Sequence, residues 1–321
     1  LYLLGRAEYV EAKATFERAL RIGEAAYGPA HPNVASAVNN LGRVLQDMGD
    51  LPGARAHYER ALHIDEAAFG PDHPNVAGVV NNLGSVLWAM GDLPGARGHF
   101  ERALRIDQAA YGPNHPNVAT DVNNLGGVLG AMGDLPGARG HFERALRIDE
   151  VALGPNHPKV AIHVNNLGGV LRAMGDLEGA RAHFERALRI DEAALGPDHP
   201  NVASAVNNLG LVLEGMGDLA GARACYERAL RIDEAALGPD HPNVASVVNN
   251  LGCVLKAMGD IPGARAHLER ALRIDEAALV PDHPNVAIRV NNLGRVLQDM
   301  GDPKGARACF ERALRIDEAA Y

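Results

Sequence analysis

Apolar and polar positions recur along the chain with two nested periods. Over short distances, apolar residues fall three and four apart: Val80, Leu83, Val86, Leu87 and Met90 make one stripe, and Ala96, Phe100, Ala103, Leu104 and Ile106 make another. That spacing places each set on one face of an α-helix. Over longer distances the whole pattern returns. The tetrapeptide Asn-Asn-Leu-Gly begins at Asn39, Asn81, Asn123, Asn165, Asn207, Asn249 and Asn291, 42 residues apart each time. A fixed period of this length predicts stacked units that each contact only their neighbours.

Breakers and caps divide each unit into two helices. The first, helix A, is expected to open at a His-Pro step such as His73-Pro74, because proline suits a first helical turn whose N–H groups are unpaired anyway. It should close at Met90-Gly91, where Asp92 can cap helix B. Helix B then runs to about Tyr111 and stops at Gly112-Pro113. The result is seven A helices and eight B helices in one array over residues 1–321: a partial unit 1–31, then 32–73, 74–115, 116–157, 158–199, 200–241, 242–283 and a slightly short 284–321. The charged run of helix B, Glu101, Arg102, Arg105 and Asp107, is expected on a solvated face with opposite charges four apart.

Composition supports helices over sheets. The chain is 47% hydrophobic but only 4% aromatic, with one Trp, and a sheet sandwich would want more aromatic and β-branched side chains. The net charge of −9 is spread evenly, which argues against a nucleic-acid ligand. No apolar run approaches a membrane span. Three cysteines, Cys225, Cys253 and Cys309, cannot form a paired framework, so a reducing, cytoplasmic setting is expected. The chain opens on Leu1 with no targeting signal, as expected of an excerpt from a longer protein.

Leu83-Gly84, Ala96, Phe100 and Ala103 stand where the tetratricopeptide signature has Leu-Gly, Ala, an aromatic and Ala, and the match recurs throughout. The chain therefore resembles a tetratricopeptide array, in which helix B is extended to the Gly-Pro step and the unit lengthened to 42 residues. The Asn-Asn-Leu of helix A and the Gly-Pro-Asp-His-Pro linker are similar to kinesin light chain repeats. They also resemble the arrays attached to bacterial signalling ATPases of the nucleotide-binding, apoptotic-regulator (NB-ARC) type. The resemblance implies an all-α, right-handed α-solenoid that binds protein or extended peptide and catalyses nothing. No phosphate loop, His-Glu-x-x-His, Gly-x-Ser-x-Gly or Cys-x-x-Cys occurs, so neither an enzyme nor a cofactor or metal site is expected. The recurring histidines, including the His-Pro set from His31 to His283, are expected to cap and pack.

In such arrays the second, fifth, ninth and twelfth residues of each motif line a concave groove. By that mapping the fifth position is the asparagine row, Asn39, Asn81, Asn123, Asn165, Asn207, Asn249 and Asn291. In kinesin light chains a similar row bonds the backbone of an extended peptide, and an amide can both donate and accept. The alternative is that these side chains pair with a neighbouring helix, the role expected for each second asparagine. The other groove positions vary: Ser36, Gly78 and Thr120 at the second; Arg43, Ser85 and Gly127 at the ninth; Trp88, Arg172, Glu214 and Lys256 among the twelfth. Variable residues on a constant framework suit a modular reader, or neutral drift on an exposed face. Trp88 either anchors a ligand or packs along its own wall. Gly127 and Gly130, each costly inside a helix by on the order of 1 kcal/mol, would be justified by a closely approaching ligand backbone. The last helix is as apolar as internal copies, so end-to-end self-association is also expected, and an architectural, self-assembling solenoid is the alternative to a peptide reader.

Overall fold

A computed structural model describes residues 2–279 and 283–320, with side chains over 9–279 and 283–318. It contains fifteen α-helices and, among the described residues, no strand. They are α1 (Tyr2–Tyr27), α2 (Pro32–Asp47), α3 (Leu51–Phe69), α4 (Pro74–Ala89), α5 (Leu93–Tyr111), α6 (Pro116–Ala131), α7 (Leu135–Leu153), α8 (Pro158–Ala173), α9 (Leu177–Leu195), α10 (Pro200–Gly215), α11 (Leu219–Leu237), α12 (Pro242–Ala257), α13 (Ile261–Ala278), α14 (Pro284–Asp299) and α15 (Pro303–Ala320). The all-α tandem of helix–turn–helix copies is the fold class that the sequence predicts. Two compact units are formed, one over Leu3–Met174 and one principally over Gly175–Tyr321.

Local chemistry sets the helix limits. His73 caps α4: its Nδ1 accepts the backbone N–H of Asn75 at 3.2 Å, and Pro74 fills the first turn. The same bond recurs at each His-Pro step from His31 to His283. Asp92 caps α5 by accepting from the Gly95 N–H at 2.9 Å, which satisfies an otherwise orphaned donor. Between these helices Gly91 adopts φ 85°, a conformation that side chains with a Cβ rarely take. Gly112 ends α5 in the same left-handed region, at φ 83°.

Each hairpin closes on a buried stripe. In α4 and α5, Val76, Val80, Leu83, Val86 and Leu87 meet Ala96, Phe100, Ala103 and Ile106, none more than 5% exposed. Met90 departs from the expected stripe: it is 41% exposed, because it forms the C-cap of α4 instead of continuing its face. The Leu-Gly pair has a steric reason, since a Cβ on Gly84 would fall 2.8 Å from the Phe100 ring. Successive helices B are laced by ion pairs such as Arg102 with Glu66 and Arg270 with Glu234, both at 2.6 Å.

Candidate functional site

The fixed asparagine pair of helix A builds a ladder between successive copies. Asn82 Nδ2 donates to Asn39 Oδ1 at 2.9 Å, Asn124 to Asn81 at 2.9 Å and Asn166 to Asn123 at 2.9 Å. In the other unit Asn250 donates to Asn207 at 3.0 Å and Asn292 to Asn249 at 2.9 Å. In these five rungs the second asparagine of a pair bonds to a neighbouring helix A, and the first asparagine of the preceding pair supplies the acceptor. Asn249 is buried and also donates to Asn250 at 3.4 Å. Asn165 is partnered as well, and Asn291 is half-buried on α14.

Helix B contributes one aspartate beside each ladder. Asp65, Asp107, Asp149, Asp191, Asp233 and Asp275 are none more than 7% exposed. Asp107 is therefore not on a solvated face, as its charged neighbours suggested. It stands four residues after the buried Ala103, one helical turn along the same stripe. What meets this aspartate is set by a helix A residue outside the four groove positions. At one junction Arg289 Nε donates to Asp275 Oδ2 at 2.9 Å and Nη2 to Ser246 Oγ at 3.0 Å. At another His163 Nε2 lies 2.9 Å from Asp149 Oδ2, while its Nδ1 lies 3.0 Å from Asn123 Oδ1. Burial pushes the His163 imidazole below its ordinary pKa, opposed by the hydrogen bond and charge of Asp149. At a third, Asp121 meets Asp107, and burial together with the neighbouring acid pushes Asp121 up to about 8. The equivalent residues Val79, Ala205 and Val247 are apolar. Sequence reading missed this series; its signal was an acidic residue at a 42-residue period on a buried stripe.

In the unit that holds α2 to α4, a cavity of about 630 Å³ opens between the two helices A. Its lining includes Ser36 and Asn39 from α2, Asp65 from α3, and Gly78, Val79 and Asn81 from α4. Two second-position residues and two row asparagines thus line the same open recess as Asp65.

The family profile described as tetratricopeptide repeat matches residues 1–67, 34–77, 76–150, 120–168, 160–235, 202–277 and 254–319. The chain belongs to the tetratricopeptide repeat family. Among solved structures it is similar to a putative kinesin light chain of Podosopora anserina with nearly identical TPR-like repeats. That likeness covers 64% of this chain and 98% of the other, at 21% identity and a TM-score of 0.53. The apo quorum sensor NprR from B. thuringiensis covers 98% of this chain and 84% of its own, at 13% identity and a TM-score of 0.74. The Rap conjugation gene regulator of plasmid pLS20, solved in complex with a Phr peptide, covers 90% and 75%, at 18% identity and a TM-score of 0.69. These likenesses are of fold. No curated protein sequence matches the chain.

Within this tetratricopeptide array the remaining expected site residues each have surroundings of their own. Trp88 is 36% exposed and packs edge-on against Phe100, with ring centroids 6.4 Å apart. A Cβ on Gly127 would fall 2.5 Å from the Trp88 ring, so the indole of α4, not a ligand backbone, accounts for that glycine in α6. Glu214 accepts from the Tyr226 hydroxyl at 2.8 Å, and Lys256 Nζ lies 3.0 Å from Asp299 Oδ2. Arg43 and Arg172 are exposed. The helix B histidines His57, His141 and His183 lie 2.8–2.9 Å from carbonyls one turn back. Among the described residues no group of His, Cys, Asp or Glu is arranged to hold a metal ion, and no helix is long and apolar enough to cross a membrane.

Proposed function

We propose that this tetratricopeptide array binds an extended polypeptide segment across its helix A faces, as the sensing or recruiting arm of a larger cytoplasmic protein. One observation carries the proposal: the cavity over Asp65, where small second-position residues and row asparagines of two copies converge. Its volume falls in the range of about 300–1,000 Å³ usual for ligand sites. The variation at helix A positions around Trp88, Arg172, Arg43, Glu214 and Lys256 supports a reader whose framework is held constant by ladder, caps and core. A peptide complex of the similarly folded Rap regulator is a further support.

The test is selection of a random-peptide display library on the full chain, followed by affinities for the parent, Trp88→Ala and Arg172→Ala. Peptides that crowd onto helix A should be re-ranked by these changes, because each alters a side-chain contact and leaves the framework intact. A chain that enriches no peptide, and self-associates instead, would support an architectural role. Peptides indifferent to every helix A substitution would place binding elsewhere.

A further inference from the structure

We infer that the cavity between α2 and α4 receives an arginine side chain of the bound polypeptide, with Asp65 as its counter-ion. This rests on the helix A faces being the binding surface and names what one part of them recognises. The chain supplies its own example of the complex. Arg289 stands five 42-residue periods after Val79, and its guanidinium donates to Asp275 at 2.9 Å and to Ser246 at 3.0 Å. Asp65 occupies the place of Asp275, and Ser36 the place of Ser246. The first junction therefore keeps both acceptors of a guanidinium site but lacks the guanidinium.

Space and charge agree with that vacancy of partner. Val79 is short where Arg289 is long, and Gly78 stands where Ile288 does; a Cβ on Gly78 would meet nothing within 4 Å. Asp65 is 7% exposed, and among the described residues no hydrogen bond or ion pair reaches its carboxylate. Burial raises its pKa, with the nearby His73 opposing. A buried carboxylate that lines a cavity without a partner gains most from a cation brought by a ligand. Two acceptors on separate helices suit a planar, forked donor better than a single ammonium. Asp107 and Asp149 do not offer the same site, since Asp121 and His163 already meet them.

Two probes test this. The first is N-acetyl-arginine methylamide, titrated by NMR against the isotopically labelled full chain beside its lysine and citrulline counterparts. Shifts should centre on the backbone of Ser36 and Gly78, follow the order arginine, lysine, citrulline, and vanish in Asp65→Asn. They should also vanish in Val79→Arg, which supplies the guanidinium from within as Arg289 does. The second probe is the set of display-selected peptides. Replacing their shared arginine by citrulline should weaken binding roughly tenfold or more in the parent, from loss of a charge-assisted bond, and hardly at all in Asp65→Asn. Selected peptides that need Trp88 or Arg172 but neither arginine nor Asp65 would overturn the arginine site and leave the groove standing. No shifts and no selected peptides would overturn both. Shifts that persist in Val79→Arg would place the cation elsewhere and overturn the assignment.

Discussion

The junction of α12, α13 and α14 and the junction of α4, α5 and α6 are built from the same parts, yet one buries an ion pair and the other two acids. In the first, Asp275 and Arg289 bond at 2.9 Å with side chains only 1% and 7% exposed. In the second, Asp107 and Asp121 are 6% and 3% exposed, and each has one oxygen without a hydrogen-bond partner. The asparagine rung and the His and Asp N-caps are alike in both, while Leu268 stands in α13 where Phe100 stands in α5 and α13 ends on Leu279 in place of a glycine. The helix B aspartate is thus a constant acceptor, and a single helix A residue decides whether the junction is neutralised by a cation, by a shared proton or by nothing within the chain. Variation in this family of copies reaches the interior as well as the surface.

The largest expected effect comes from breaking the ion pair. Arg289→Met leaves Asp275 buried and alone, and removing one member of such a pair typically costs about 3–5 kcal/mol. Urea unfolding, with amide exchange followed in α13 and α14, should show that loss concentrated at this junction. Replacing Asp275 by Leu in the same chain should restore most of it, because two apolar side chains of similar volume need no counter-charge. A loss below about 1 kcal/mol in the single variant would mean that the pair does not hold the junction.

Next in size is the pH response of the acid pair. Folding moves Asp121 from 3.8 to about 8, so between those values the folded chain holds a proton that the unfolded chain has released. Stability is then fully present below about pH 4 and is lost as pH rises toward 8, by up to about 1.4 kcal/mol per pH unit. Between pH 6 and 8 the loss is at most ~3 kcal/mol. Asp121→Asn should abolish this slope and be more stable than the parent at pH 8. His163 acts with the opposite sign: its folded pKa is lowered, so its contribution is present above the unfolded value of 6.5 and lost as pH falls below it. Parallel melting curves for parent and Asp121→Asn at pH 8 would show that the two acids do not share a proton.

Much of this architecture was legible in the chain itself. The period, the helix limits and the capping roles of His73 and Asp92 follow from spacing and from which residues can cap. A pairing role for the second asparagine was expected from the sequence too, and the partner it finds is the first asparagine of the preceding helix A. The junction acids were not legible. Asp107 sits between Ile106 and Gln108, two residues after Arg105, and a charged run reads as surface unless each residue is placed on the stripe by its distance from Ala103. The surroundings of Gly127 were not legible for a different reason: its neighbour, Trp88, lies 39 positions away, and only folding shows that the indole fills the space above it.

The smallest effect separates the ladder from the junction acids, because the rung itself is common to both regions. Asn124→Ala and Asn292→Ala each remove one amide donor, from Asn81 and Asn249 respectively, at 2.9 Å in both cases. A neutral hydrogen bond of this kind contributes roughly 0.5–1.5 kcal/mol. The acceptors differ in their surroundings: Asn81 is half-buried, so water can replace the lost donor, whereas Asn249 is 5% exposed and its oxygen would be left bare. An unsatisfied buried acceptor costs about 1–3 kcal/mol, so Asn292→Ala should be the more damaging by on the order of 1 kcal/mol. Neither change introduces or removes an ionisable group, so each difference from the parent should hold constant from pH 6 to 8. Urea unfolding at both pH values is the measurement. Equal losses would show that water reaches Asn249 as readily as Asn81, and a pH-dependent loss in Asn124→Ala would show that the rung and the Asp107–Asp121 pair are coupled parts of one device.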